Sequence, residues 1–132
     1  MKDVITPRIT PDIQGYVTGV LDGVWARAPY LHNGSVPTLY HLLVPDERPQ
    51  QFLRAAIDFD TQNVGYAWQL SDTGHVVNNA PTLMLYDTSR DSHSNAGHDR
   101  NIVVDGKLRR LNWSGPQYAE QVKDLIEYLK TQ

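Results

Sequence analysis

The apolar positions of the last quarter of the chain recur at helical spacing. Tyr118, Val122, Leu125, Ile126 and Leu129 fall on one face of a 3.6-residue repeat. Ser114 with Gln117 reads as a capping box ahead of them, and Pro116 is tolerated in a first turn. The pattern predicts an amphipathic helix of about four turns. A shorter helix is predicted from near Pro37 to Leu43, where Leu39, Leu42 and Leu43 make an i, i+3, i+4 stripe and Pro45 ends the run. Between the two helices the rhythm changes. FLRAAIDFD (52–60) and VGYAWQL (64–70) fit strands, and Thr73-Gly74 and Asn78-Asn79 fit turns. Residues 87–101 are almost wholly polar and predict a long loop of the kind that is functional or disordered. Asp105-Gly106 inside IVVDGKLRRL (102–111) predicts a hairpin. At the other end, Pro7 and Pro11 make residues 1–15 an extended segment. Gly15, Gly19 and Gly23 break residues 15–29 into short extended pieces and turns.

Composition narrows the class. The length of 132 residues suits one domain, with neither an internal repeat nor a second unit. Hydrophobic residues make up 40 %, enough for a modest core, while nine glycines and eight prolines point to short elements joined by loops. A formal charge of −3 without a long run of either sign argues against a nucleic-acid partner. No apolar stretch approaches the roughly 18–20 residues of a membrane span. The opening MKDVITPRITPDIQ has no apolar h-region, so no secretory signal is expected in the chain as written: either a cytosolic protein or a mature portion without its leader. Cysteine is absent, which removes disulfides, thiolate zinc sites, cysteine nucleophiles and the C-x-x-C-H site of covalent haem attachment.

The densest chemistry lies in APYLHNGSVPTLYHLL (28–43). Asn33-Gly34 can take up the positive φ angles of a tight turn directly after His32. That would bring the Tyr30 and His32 rings against whatever the turn packs on, and ordinary core cover is as natural a use for them as a ligand pocket. Other constellations are weaker. Ser35 lacks a G-x-S-x-G elbow, and the glycines at spacing four match no phosphate loop. Asp58, Asp60 and Asp87 are scattered and read as solvated surface. His93 and His98, with His75 elsewhere, would suit a small zinc or copper site but follow the spacing of no regular element. Asn33-Gly34-Ser35 and Asn112-Trp113-Ser114 match the glycosylation sequon, a pattern frequent by chance.

Taken in order, Gly23-Val24-Trp25-Ala26 followed by Ala28 to Leu39, with Phe59-Asp60, Val64-Gly65-Tyr66 and Ser94-Asn95-Ala96-Gly97-His98 further on, resembles the dihaem cytochrome c peroxidase superfamily, and most of all its rubber-oxygenase-like branch. The terminal LIEYLKTQ (125–132) resembles the closing helix of cytochrome c domains. The resemblance implies a partial cytochrome c-like domain, mainly α with much loop and short β-hairpins. It implies a haem-pocket portion of a c-type cytochrome oxidoreductase of the peroxidase or dioxygenase class, active in electron transfer. His32, Tyr30, Trp25, Asn33 and Gly34 would line the cofactor site. His98 would be the axial ligand of the haem iron, Met84 a weaker candidate better read as core filling. Haem c is the cofactor the resemblance implies, yet this chain cannot attach it. It implies a periplasmic or secreted protein. The closing helix normally packs on the helix that leads into C-x-x-C-H; without that helix its stripe needs another cover, on residues 1–25, a second copy or a haem-bearing chain or upstream domain. The alternative is a non-enzymatic, truncated cytochrome-like interaction module without haem.

Overall fold

A computed structural model describes residues 19–70, 83–97, 102–109 and 112–132. Its central feature is a sheet. Residues Gln51–Asp60 form strand β1 and Gly65–Leu70 form β2, joined in an antiparallel hairpin; Leu83–Asp87 form β3 on the other side of β1. The sheet order is β2-β1-β3. Phe52 lies opposite both Leu70 and Tyr86, and Arg54 opposite both Trp68 and Met84, so these side chains share a face. The β1–β2 register then shifts between Arg54 and Phe59, an irregularity after which Phe59 pairs with Tyr66. The sequence explains the strands: Phe52, Ile57, Phe59, Tyr66 and Trp68 suit a pleated, half-buried surface better than a helix. A separate hairpin joins β4, Ile102–Val104, to β5, Lys107–Arg109. Its two turn residues, Asp105 (φ 51°) and Gly106 (φ 72°), are both left-handed, as a two-residue primed turn requires.

The β1–β2 turn is built by Asp60. Its Oδ1 accepts from the backbone N–H groups of Gln62 and Asn63 at 2.8 and 3.0 Å, and its Oδ2 accepts from the Asn63 amide at 2.7 Å. Burial alone would push the Asp60 carboxyl up, but these donors outweigh it and hold the group below its usual range. The turn serves a second element. Helix α1, Leu39–Leu43, has only five residues, too few to stand alone. Its first two N–H groups, from Leu39 and Tyr40, donate to the carbonyls of Val64 and Asn63 at 2.8 and 3.1 Å, and Thr38 Oγ1 accepts from His41 N. Val64 holds a left-handed conformation (φ 60°), strained for a β-branched residue, while its side chain is buried. Beside it, a Cβ on Gly65 would stand 2.3 Å from the Pro37 carbonyl oxygen and 2.7 Å from Thr38 Cα, so only glycine lets the two backbones meet.

Helix α2, Ala119–Leu129, carries the predicted stripe. Val122, Ile126 and Leu129 are buried and Leu125 packs beside them. Their cover comes from the same chain: Tyr30, Val36, Leu39, Val44 and Val64 complete one hydrophobic cluster. Three such side chains contribute roughly 1.5–3 kcal/mol each. Two details differ from expectation. Tyr118 is exposed and lies in the short 3-10 turn Pro116–Tyr118 that precedes α2, with its ring 5.9 Å from that of Trp113. The Ser114–Gln117 capping box does not form: no side chain caps this turn, and Ser114 Oγ is buried without a partner among the described residues.

The expectation of a mainly α fold is overturned. Among the described residues the α-helices are α1 and α2 only, and a three-stranded sheet plus a two-stranded hairpin carry the middle of the chain. The resemblance to cytochromes had suggested helices. The β-branched and aromatic content of residues 51–70 and the Asp60 turn decide for strands.

Candidate functional site

The turn at residues 30–36 is closed on itself before it meets anything else. Tyr30 N donates to Val36 O at 2.7 Å and Val36 N returns a bond to Tyr30 O at 3.3 Å, making a one-rung ladder. Leu31 (φ 62°) and Gly34 (φ 71°) are the left-handed residues that reverse the chain. At Gly34 a Cβ would press on the Pro29 ring, 3.1 Å from Cγ. Asn33 Oδ1 accepts from Ser35 N at 3.2 Å, which fixes the amide so that its nitrogen points outward from the turn.

That nitrogen grips the distant polar loop. Asn33 Nδ2 donates to the carbonyls of Ser92 and Ser94 at 3.0 and 2.9 Å, and Ser35 Oγ donates to Ser94 O at 3.1 Å. From β3, the Tyr86 hydroxyl donates to Asn33 O at 2.7 Å. Arg48 ties the same loop to α1. Its guanidinium donates to His41 O and Leu42 O, the free carbonyls at the end of α1, and to Asn95 O and Ala96 O. The Asn95 amide answers with a bond to Pro49 O at 2.9 Å. Asn33 and Ser35 thus bind two loops about 60 residues apart in sequence, and Tyr86, Arg48 and Asn95 tie them to β3 and to the α1 segment.

The predicted site residues divide around this body. Tyr30 is 6 % exposed, faces the core, and its hydroxyl donates to Val24 O at 3.1 Å; burial pushes its phenol up to about 12. Asn33 and Gly34 form the junction with the 92–96 loop. His32 points the other way, exposed. Trp25 is also exposed, and its indole N–H donates to Gln132 O at 3.2 Å. Met84, expected to fill the core, is 54 % exposed on β3 beside Arg54. His98 and His75 lie outside the described residues; Gly97 (φ 66°) is the last described residue before His98. His93 is half-buried: its ring stacks on Tyr86 at 5.0 Å, and its Nδ1 lies 3.2 Å from Asp87 O. Among the described residues no group of three or more His, Asp or Glu side chains is disposed to hold a metal ion.

Sequence reasoning missed the role of four residues that the site depends on. Arg48 and Tyr86 sit in stretches with no motif, and only the fold brings them to the turn; Ser35 lies within the turn, where the sequence offers it only as a weak nucleophile or a sequon residue. The fourth is His41, 5 % exposed, with Nδ1 2.6 Å from Thr38 Oγ1 and its ring edge-on to Trp68 at 4.8 Å. Burial pushes its imidazole down to about 4, so it is neutral at ordinary pH.

A haem needs an enclosed apolar slot and an axial donor. One cleft of about 330 Å³ is lined by Trp25, Phe59, Thr61, Val64 and Lys130; it is largely apolar and includes neither histidine nor methionine. Two others flank α2, sharing Tyr40, Ala119 and Val122. Neither reaches His32 or Asn33, whose amide is already committed to the loop.

Residues 15–53, which include the turn and α1, match the family of RoxA-like, cytochrome c-like domains. The chain is 68 % identical over 130 residues to the uncharacterized protein y4iM of Sinorhizobium fredii, across 98 % of this chain and 30 % of that protein. It is 39 % identical over 118 residues to the uncharacterized protein y4iJ of the same organism, across 88 % of this chain and 17 % of that protein. The chain therefore spans less than a third of either relative. No helix among the described residues is long and apolar enough to cross a membrane. The turn on which Asn33 and Ser35 hold the 92–96 loop lies inside the stretch that matches the RoxA-like, cytochrome c-like family.

Proposed function

We propose that the chain is a haem-facing shell of a c-type cytochrome oxidoreductase, the haem being attached to another segment or another chain. The observation that supports this reading most directly is the division of labour in the 30–36 turn. Asn33 and Ser35 are consumed in holding the turn and the 92–96 loop together and the Tyr30 hydroxyl in bonding Val24 O, while His32 is left exposed. A rigid element presenting one imidazole is what a cofactor-facing wall requires. His98, next in sequence after Gly97, is the axial-ligand candidate, and His32 a partner for a haem propionate. Haem supplies the redox chemistry when bound; these residues would position it and shield it from water. The oxidant class, peroxide or dioxygen, belongs to the whole protein. A periplasmic or secreted setting and a haem-bearing partner domain or self-association are part of the same proposal.

A second reading has its own support. The chain contains no cysteine, and neither histidine nor methionine lines the three described clefts. In that reading the chain is a cytochrome-like interaction module without haem. Titration of the purified protein with ferric haem separates the two. The shell reading expects a shifted Soret band that His98→Ala removes and His32→Ala weakens. An unchanged haem spectrum at every ratio, for the wild-type chain, leaves the module.

A further inference from the structure

The rings of the sheet and α1 are in unbroken contact. Tyr40 meets His41 edge-on at 5.3 Å, His41 meets Trp68 at 4.8 Å, and Trp68 meets Phe52 at 6.3 Å. Phe52 then stacks on Tyr86 at 5.3 Å, and Tyr86 on His93 at 5.0 Å. The line crosses α1, all three strands of the sheet and the loop after β3, so tertiary structure alone assembles it. Core packing accounts for its middle, where Phe52 is fully buried. It does not account for its ends. Next to the His93 end, Tyr86 donates to Asn33 O, inside the turn described above. At the other the Tyr40 phenol donates to Glu47 Oε2 at 2.8 Å, at the edge of the clefts that flank α2.

Electron tunnelling weakens steeply with distance, and a series of oxidisable rings in contact divides one long step into short ones. Tyr86, Trp68 and Tyr40 are the oxidisable members; Phe52 and His41 fill the gaps between them. Oxidation of a phenol near neutral pH requires a proton acceptor in hydrogen-bond reach, and a carboxylate at 2.8 Å meets that geometric condition. Burial, then the Glu47 bond and charge, push the Tyr40 phenol up to about 12, so the proton is present to be transferred. His41, held neutral by burial, places no positive charge against Trp68 to oppose removal of an electron from the indole.

We propose that this ladder conducts a one-electron oxidising equivalent from the turn that holds the 92–96 loop to Tyr40, which acts as a redox-active tyrosine with Glu47 as its proton acceptor. The oxidant is a high-potential, one-electron metal complex at the His93 end. It takes one electron from the Tyr86–Trp68 segment and is reduced. Tyr40 refills that vacancy with one electron while its phenolic proton crosses to Glu47 Oε2. The products are a neutral phenoxyl radical at Tyr40, a protonated Glu47 and the reduced oxidant. The identity of a natural oxidant rests on the haem-shell reading; the conduction does not, and the following test uses no haem.

The chain lacks cysteine, so Asp91→Cys, at an exposed position two residues from His93, provides a single attachment point for a ruthenium polypyridyl label. Flash excitation with hexaammineruthenium(III) as electron acceptor generates the oxidant in place. Transient absorption and electron paramagnetic resonance are expected to show a phenoxyl radical. That signal is lost in Tyr40→Phe, leaving an indole radical. It falls to background in Trp68→Phe and returns in Trp68→Tyr, which restores an oxidisable ring. Glu47→Gln slows its appearance without moving the far-ultraviolet dichroism. A phenoxyl signal of equal size and rate in Tyr40→Phe, or one indifferent to Trp68→Phe in a folded variant, overturns the proposal.

Discussion

Asn33 Nδ2 stands 2.9 Å from the carbonyl oxygen of Ser94, across 61 residues of sequence, and this contact with its twin to Ser92 seats the polar loop on the turn. Both bonds are exposed to solvent and Ser94 O keeps its bond from Ser35 Oγ, so loss of the amide removes two hydrogen bonds of ordinary net worth, roughly 0.5–1.5 kcal/mol each. Asn33→Ala is expected to destabilise the fold by about 1–3 kcal/mol. Asn33→Asp should cost more, because a carboxylate has no hydrogen to offer and would face two carbonyl oxygens. Urea denaturation checks this: the midpoint falls with an unchanged slope. Equal stability of wild type and Asn33→Asp would show that the loop is not held this way.

Gly65 is the position where backbone meets backbone. The nearest atoms to an added Cβ are the Pro37 carbonyl oxygen and Thr38 Cα, neither of which is the end of a flexible side chain. Gly65→Ala must separate the hairpin from the start of α1, which also breaks the bonds from Leu39 and Tyr40 to the turn. A loss of about 3 kcal/mol or more is expected, at the upper end of what overpacking costs. A variant within about 0.5 kcal/mol of wild type, the range of ordinary surface changes, would contradict the close approach.

Acid should expose His41. Its folded-state value near 4 lies below the ordinary 6.5, so the unfolded chain binds a proton that the folded chain refuses between those limits. The stabilisation is complete above pH 6.5 and is lost as pH falls towards 4, in total on the order of 3 kcal/mol. The bonds that lower Asp60 act in a different window, being lost only as pH falls below the ordinary carboxyl range. Unfolding free energy measured from pH 7 to pH 4 should therefore slope downward for the wild type and be nearly flat for His41→Gln.

The α2 stripe offers a comparison within one helix. Ile126 is 4 % exposed and touches the main cluster, whereas Tyr128 is 55 % exposed. Ile126→Ala should cost about 2–5 kcal/mol, and Tyr128→Ala about 0.5 kcal/mol or less. Similar losses at both positions would mean that the buried face has been misassigned.

Periodicity made α2 readable, because Val122, Ile126 and Leu129 recur at a spacing that only a helix can place on one side. Asp105-Gly106 marked its hairpin for a comparable local reason: both residues accept positive φ. The sheet was harder to see. FLRAAIDFD and VGYAWQL fit strands taken singly, whereas the cytochrome resemblance implies a mainly helical fold. The capping box failed because Ser114 and Gln117 satisfy a local pattern that the 3-10 turn at Pro116 pre-empts.

The turn shows where local reading ends. From sequence alone, the residues 28–39 marked a reversal after His32 and joined Tyr30, Asn33 and Gly34 to it, since chain stiffness and glycine freedom act over a few residues. Which rings turn inward was settled by tertiary packing: Tyr30 entered the core, His32 stayed outside, and His41, which carried no signal, became the most buried imidazole among the described residues. Hydrogen bonds from Asn33 to Ser94 and from Arg48 to Asn95 depend on the sheet and α1 bringing distant segments within 3 Å, and no periodicity along a chain encodes a distance of that kind.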